Sequence, residues 1–189
     1  MGADFAMANL NARVLSVAHT PRVAIVGAAA LGAFMLAQVA NEHGALFLQN
    51  DSPSEPEGLY VRTNETPAVG RLVTFMAPPP AAAYVGRRLP NLRRTPVLKV
   101  LSAGPGSLVC TTSKRLVIDG QAMAAVAARD RYGQPLPQWN GCRRLGTGEW
   151  FAYSDRVPNS FDSRYFGPIR TDQVIAVYRP LWVDSATSR

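Results

Sequence analysis

The stretch Pro96-Val97-Leu98-Lys99-Val100-Leu101, followed by the turn Gly104-Pro105-Gly106, decides how this chain is read. A short Val- and Leu-rich run bounded by Pro and Gly predicts a buried β-strand. Lys99 is its one charged residue. Of the twenty basic residues eighteen are Arg, and the only other lysine is Lys114. Arg stays protonated in proteins, whereas a Lys shielded from water can lose its proton and act as a base. Upstream, Ser52-Pro53-Ser54-Glu55-Pro56 forms a loop between two apolar stretches. Loop serine and strand lysine together suggest a serine nucleophile activated by a desolvated amine. Taken singly, the serine reads as a turn residue and the lysine as a snorkelling edge residue.

Outward from this strand, short apolar runs recur between turn signals. They are 45–48, 58–61, 72–75, 97–101, 107–110, 116–118, 149–152 and 174–177. Their length and punctuation predict a mainly β, antiparallel domain over 42–189. Asp119-Gly120 is a type I′ hairpin signal after Leu116-Val117-Ile118. The region from Met76 to Arg94 holds Pro78-Pro79-Pro80, which cannot lie inside a sheet, and reads as a loop or short helix. Phe75 and Met76 read either as core residues or as a surface dipping into the membrane.

Residues 23–41, VAIVGAAALGAFMLAQVAN, carry no charge and are just long enough to span a bilayer. Arg13, His19 and Arg22 precede them against the single acid Asp4, so residues 1–22 are expected to form a cytoplasmic tail. The domain at 42–189 is then expected to be exported. A cleaved signal peptide is the competing reading, but Gln38 would fall at the −3 position of a cut after Ala40. A buried soluble helix is the other alternative. Export would place Cys110 and Cys142 in an oxidising compartment, where a disulfide persists. Closing that loop of roughly 30 residues contributes about 3–4 kcal/mol by chain entropy.

The formal charge of +7 invites a nucleic-acid reading. However, the densest basic cluster, Arg87-Arg88 with Arg93-Arg94, lacks zinc spacing, a basic helix or an RNA-binding aromatic run. An anionic membrane surface suits the charge better. A serine–histidine triad has only His19 and His43 to draw on, both at or before the predicted membrane exit. Metal ligands are equally scarce, and no cofactor is expected. Serine plus lysine remains.

Four boxes in order now carry a resemblance: Ser54-x-Pro56-x-Gly58-Leu59-Tyr60, Gly70-x-Leu72-Val73, Lys99 with Pro105-Gly106, and Ser160-Phe161-Asp162-Ser163-Arg164-Tyr165-Phe166-Gly167-Pro168. They resemble the serine–lysine type I signal peptidases. Gly133-x-Pro135-Leu136-Pro137-x-Trp139-x-Gly141-Cys142-Arg143 narrows this to the conjugative-transfer (TraF-type) branch, which matures pilin subunits. The resemblance covers about residues 23–181.

The resemblance implies a signal-peptidase-like antiparallel β-sheet catalytic domain behind one N-terminal transmembrane helix. It implies Ser54 as nucleophile and Lys99 as general base. The oxyanion hole would combine the Ser54 N–H with the Ser52 hydroxyl, each such donor being worth about 3 kcal/mol in the transition state. Ser160 would hydrogen-bond the lysine amine, and Asp162 with Arg164 would form a supporting ion pair. Partners would be an exported precursor, membrane lipid and transfer-system components. The chain departs from the family pattern at Ser107, Arg71 and Glu55. Glu55 and Glu57 put negative charge beside the nucleophile, which would raise the Lys99 pKa or favour a substrate basic near the cut.

A general leader peptidase and a non-catalytic envelope scaffold are the other readings. Retention of Ser52, Ser54, Lys99, Ser160 and Asp162 together weighs against the scaffold. Self-cleaving repressor-type proteins share the Ser–Lys chemistry but lack an anchor.

Overall fold

The computed structural model describes residues 25–29, 31–32, 44–89, 91, 95–112 and 114–184. The chain divides into two units, Met1–Gln38 and Val39–Arg189. In the first, residues 25–29 and 31–32 are helical. The expected tail over 1–22 and the rest of the expected anchor over 23–41 lie outside the described residues. Among the described residues no helix is long and apolar enough to cross a membrane.

The second unit is built of strands. In chain order they are β1 (Phe47–Asn50), β2 (Gly58–Thr63), β3 (Leu72–Phe75), β4 (Val97–Ala103), β5 (Leu108–Thr111) and β6 (Arg115–Ile118). Then follow β7 (Gln121–Ala125), β8 (Gly141–Arg144), β9 (Glu149–Ala152), β10 (Ile169–Arg170) and β11 (Val174–Val183). Two helices interrupt them, α1 (Ala82–Arg88) and α2 (Ser163–Phe166). One sheet runs β1-β2-β11-β3-β4-β9-β10 and a second runs β7-β6-β5-β8. Each strand pair is antiparallel.

The strand with the lysine is interior, between β3 and β9, with Lys99 directly opposite Val73. Beneath it Val73, Phe75, Val97 and Leu101 pack with Ala152, Phe166 and Ile169. A second cluster joins Val109, Leu116 and Ile118 of the smaller sheet to Phe151, Tyr153 and Tyr165. Strand β9 and helix α2 therefore serve both cores through adjacent side chains. Truncating fully buried Phe151 to Ala should cost about 3–5 kcal/mol.

Two glycines answer to close approach. A Cβ on Gly104 would lie 2.7 Å from the Trp150 ring, so the turn leaving β4 needs its glycine. Gly58 has φ +142° and a Cβ there would lie 2.3 Å from the Trp182 carbonyl oxygen. That explains the glycine four residues after Ser54. Asp119 and Gly120 both have positive φ, 48° and 84°, as a type I′ turn requires, and they join β6 to β7.

The sequence runs anticipate β3 and β9 to the residue and most other strands within a few. Strand β7 is the segment into which the Asp119-Gly120 turn leads, whereas β8 (Gly-Cys-Arg-Arg) and the two-residue β10 are missing from that reading because neither carries an apolar run. The triple proline opens a 3₁₀ turn at Pro79–Ala81 that leads into α1. Phe75 is a core residue, fully buried, whereas Met76 is exposed. Cys110 and Cys142 face each other across β5 and β8 and form the disulfide. Arg93 and Arg94 of the basic cluster lie outside the described residues, as do Ser185 to Arg189.

Candidate active site

Ser54 sits in the loop 51–57 that joins β1 to β2. A side chain passed over in the sequence holds that loop: Asn50, buried at the end of β1. Its Nδ2 donates to the carbonyls of Ser52, Glu55 and Pro56 at 3.0–3.1 Å, and its Oδ1 accepts from the Ser52 N–H at 3.2 Å. The only clue in the sequence is an amide residue ending an apolar run. Tyr60 Oη adds a 2.5 Å bond to the Pro56 carbonyl, and Ser154 Oγ donates to the carbonyl of Ser54 itself. The nucleophile's own peptide unit is thus anchored to the segment after β9.

Lys99 reaches Ser54 from β4. Its Nζ lies 2.5 Å from Ser54 Oγ in a hydrogen bond, and both residues are buried. Ser52 Oγ lies 3.0 Å from Ser54 Oγ on the other side. Burial lowers the pKa of Lys99 by penalising the ammonium form; the carboxylates of Glu55 and Asp162 oppose that, while Arg164 adds to it.

Glu55 points inward, away from a substrate. It is 3 % exposed and its Oε1 accepts the Val100 N–H at 3.1 Å. Burial pushes its carboxyl up to about 7, against the pull of Lys99, the Val100 N–H and Arg156. Of the two expected effects of Glu55, its burial and its bond to Val100 favour the one on Lys99, whose pKa its carboxylate raises, over selection of a basic substrate. Both burial effects favour neutral forms, an amine beside a carboxylic acid.

The final box forms α2 and its entry. Asp162 caps the helix, accepting from the Arg164 N–H at 3.2 Å, and pairs with the Arg164 guanidinium at 2.8 and 2.9 Å. Both are almost wholly buried. Arg164 also donates to the carbonyls of Ser160 at 2.9 Å and Ala125 at 3.1 Å, and lies over the rings of Tyr153 and Tyr165. A Cβ on Gly167 would meet the Trp139 ring at 2.7 Å, so the Gly133–Arg143 run seats against this box. One expected contact is not made. Ser160 Oγ is buried with no hydrogen-bond partner among the described residues, so it does not hold the Lys99 amine here. Its carbonyl is committed to Arg164, which fixes the backbone while leaving the hydroxyl spare.

Ser52, Ser54, Lys99 and Ser160 line one cleft of about 630 Å³. Arrangements of this kind, a buried amine on a serine oxygen at the floor of a cleft, are able to generate an alkoxide-like nucleophile.

A family model described as signal peptidase, peptidase S26, matches residues 19–182. The chain belongs to that family. It is 34% identical over 174 residues to the plasmid transfer protein TraF of Escherichia coli, covering 86% of this chain and 94% of that one. It is likewise 34% identical over 146 residues to the conjugal transfer protein TraF of Agrobacterium tumefaciens strain 15955, covering 70% and 80% of the two chains. Among solved structures it is similar to a signal peptidase I from Enterococcus faecalis V583, at 20% identity and a TM-score of 0.37, covering 61% of this chain and 98% of that one.

Proposed function

We propose that this chain is a serine endopeptidase that works by a Ser54–Lys99 dyad on an exported precursor, most specifically the pilin subunit of a conjugative system. The observation that carries this is the 2.5 Å contact between Lys99 Nζ and Ser54 Oγ inside a buried site. Membership in the signal peptidase family and the relatives' role in plasmid transfer support the substrate class.

In the proposed reaction the neutral Lys99 amine accepts the Ser54 hydroxyl proton as Oγ bonds to the scissile carbonyl carbon. The carbonyl oxygen becomes an oxyanion, received by the Ser52 hydroxyl and the Ser54 N–H. Lys99 then passes its proton to the departing amine as the C–N bond breaks, leaving an acyl-serine. Water then bonds to the acyl carbon as Lys99 takes its proton, and Lys99 returns that proton to Ser54 Oγ as the ester bond breaks; an incoming amine in place of water would instead close the product head to tail. Asp162 and Arg164 position the loop that carries Ser160. The segment 23–41 would hold the enzyme in the bacterial inner membrane with residues 42–189 in the periplasm, close to an emerging precursor.

The test is co-expression with a pilin precursor and intact-mass measurement of the pilin, comparing wild type with Lys99→Arg. Arg keeps a long basic side chain but stays protonated and cannot act as the base. Mature pilin with wild type and uncut precursor with the variant is the expected result. A product one water lighter than the linear form would mark cyclisation. Normal processing by Lys99→Arg would overturn the dyad.

A further inference from the structure

We infer that the cleft recognises an acidic segment of the precursor, through an arginine rim on α1 and the loop 129–134; this rests on the peptidase reading above. Arg87, Arg88, Arg129 and Arg131 line the same cleft as Ser54 and Lys99. Two acids line it with them, Asp51 and Asp130. Asp130 is already committed. Its Oδ1 accepts from the N–H groups of Tyr132 and Gln134 at 2.8 and 2.9 Å, and its Oδ2 accepts from Tyr84 Oη at 3.0 Å.

Those three bonds give the rim its shape. Tyr84 is buried in α1, so the Tyr84–Asp130 bond ties the loop to the helix whose last turn carries Arg87 and Arg88. Within the loop Arg129 donates to the Gly133 carbonyl at 2.7 Å, and the Arg131 guanidinium lies 4.8 Å from the Tyr132 ring centre. Arginines from two elements thus line one concave site. Four arginines against two acids leave this concave rim with an excess of positive charge, which focuses the field and draws in the opposite charge. The floor adds no countercharge, because Glu55 is turned into the core and bonded to Val100. Concavity favours an extended peptide over a membrane surface, since headgroups on a flat bilayer meet an outer face and not the dyad's own cleft.

The experiment uses the full chain in detergent and quenched-fluorescent peptides that differ at a single position. At each position flanking an Ala–Ala bond the peptide carries Glu, Gln or Lys. We expect one or more positions where kcat/KM for Glu exceeds that for Lys by about tenfold at low salt. The ratio should shrink toward unity at about 0.5 M salt and fall below one for the double variant Arg88→Glu/Arg131→Glu. Being a ratio, it does not depend on how much of each preparation is active. Equal cleavage of all three peptides would overturn the rim while leaving the peptidase standing. A Glu preference that survives in the double variant would also overturn it. So would loss of anionic-vesicle binding in that variant with peptide preference unchanged, which would assign the arginines to lipid. No cleavage of any peptide or precursor by wild type would overturn the peptidase reading, and the rim with it.

Discussion

Glu55 Oε1 accepts the Val100 N–H at 3.1 Å, so the residue after the candidate nucleophile is tied to the residue after the candidate base. The Ser54–Lys99 contact is therefore one rung of a two-rung ladder between a loop and a central strand. A carboxyl beside a buried amine also sets the charge of that amine.

Glu55→Gln keeps an acceptor for Val100 but removes the charge. The Glu55 carboxylate raises the Lys99 pKa, so its loss should lower it, and the rising alkaline limb of kcat/KM should move to lower pH. Tyr60, Asp155 and Arg156 also act on this carboxyl and stay in place. An unmoved limb would mean that Glu55 does not act on the base.

The same variant has a stability signature. Glu55 titrates at about 7 folded against 4.5 as its ordinary value. The folded state then binds more protons, so stability is full below about 4.5 and is lost as pH rises through 7, by on the order of 3 kcal/mol. The buried Lys99 amine pulls the other way, so the reading is a difference: the stability of wild type relative to Glu55→Gln, followed by thermal melts, should decline between pH 5 and pH 8.

Lys99→Met replaces a buried amine by an apolar chain of similar length. Cleavage should drop by about 10²–10⁴, the usual contribution of a general base. The melting temperature should hold or rise, because a desolvated amine is removed from the core. Activity and fold loss together would point instead to a structural lysine.

Ser160→Ala separates packing from chemistry. Its hydroxyl has no hydrogen-bond partner among the described residues, so stability should be unchanged or slightly higher. A fall of about tenfold or more in kcat would show that the hydroxyl meets the amine during turnover, as a positioned acid–base partner does. Unchanged kcat would assign Ser160 to the backbone anchor alone.

Asp162→Ala leaves the Arg164 guanidinium buried without its carboxylate. Breaking a buried pair on one side costs about 3–5 kcal/mol, which corresponds to roughly 6–20 °C in melting temperature for a chain of this size. Differential scanning calorimetry of the variant reads it directly.

Local pattern sufficed for much of this protein. Strands β3, β4 and β9 are apolar runs bounded by turn residues, and burying such runs is what drives their pairing. The Asp-Gly hairpin needs only its own backbone geometry. Lys99 stands out in the sequence as a lone lysine in a buried strand, whereas Ser54, Asp162 and Arg164 are singled out by the resemblance of their boxes to the signal peptidases. The tertiary structure decided the rest. Ser54 and Lys99 lie 45 residues apart, and only strand order brings their side chains to 2.5 Å. Asn50 and Ser154 carry no signal of their own in the sequence, and only the fold sets them against the loop carbonyls. For Glu55 the sequence left two targets open, Lys99 or a basic substrate, because it names a charge but not the side of the sheet that the charge faces. The spare hydroxyl of Ser160 likewise depends on which group of that residue the fold commits to Arg164. Pairing within a strand or turn is local chemistry; charge placement and hydrogen-bond satisfaction are settled by which distant segments pack together.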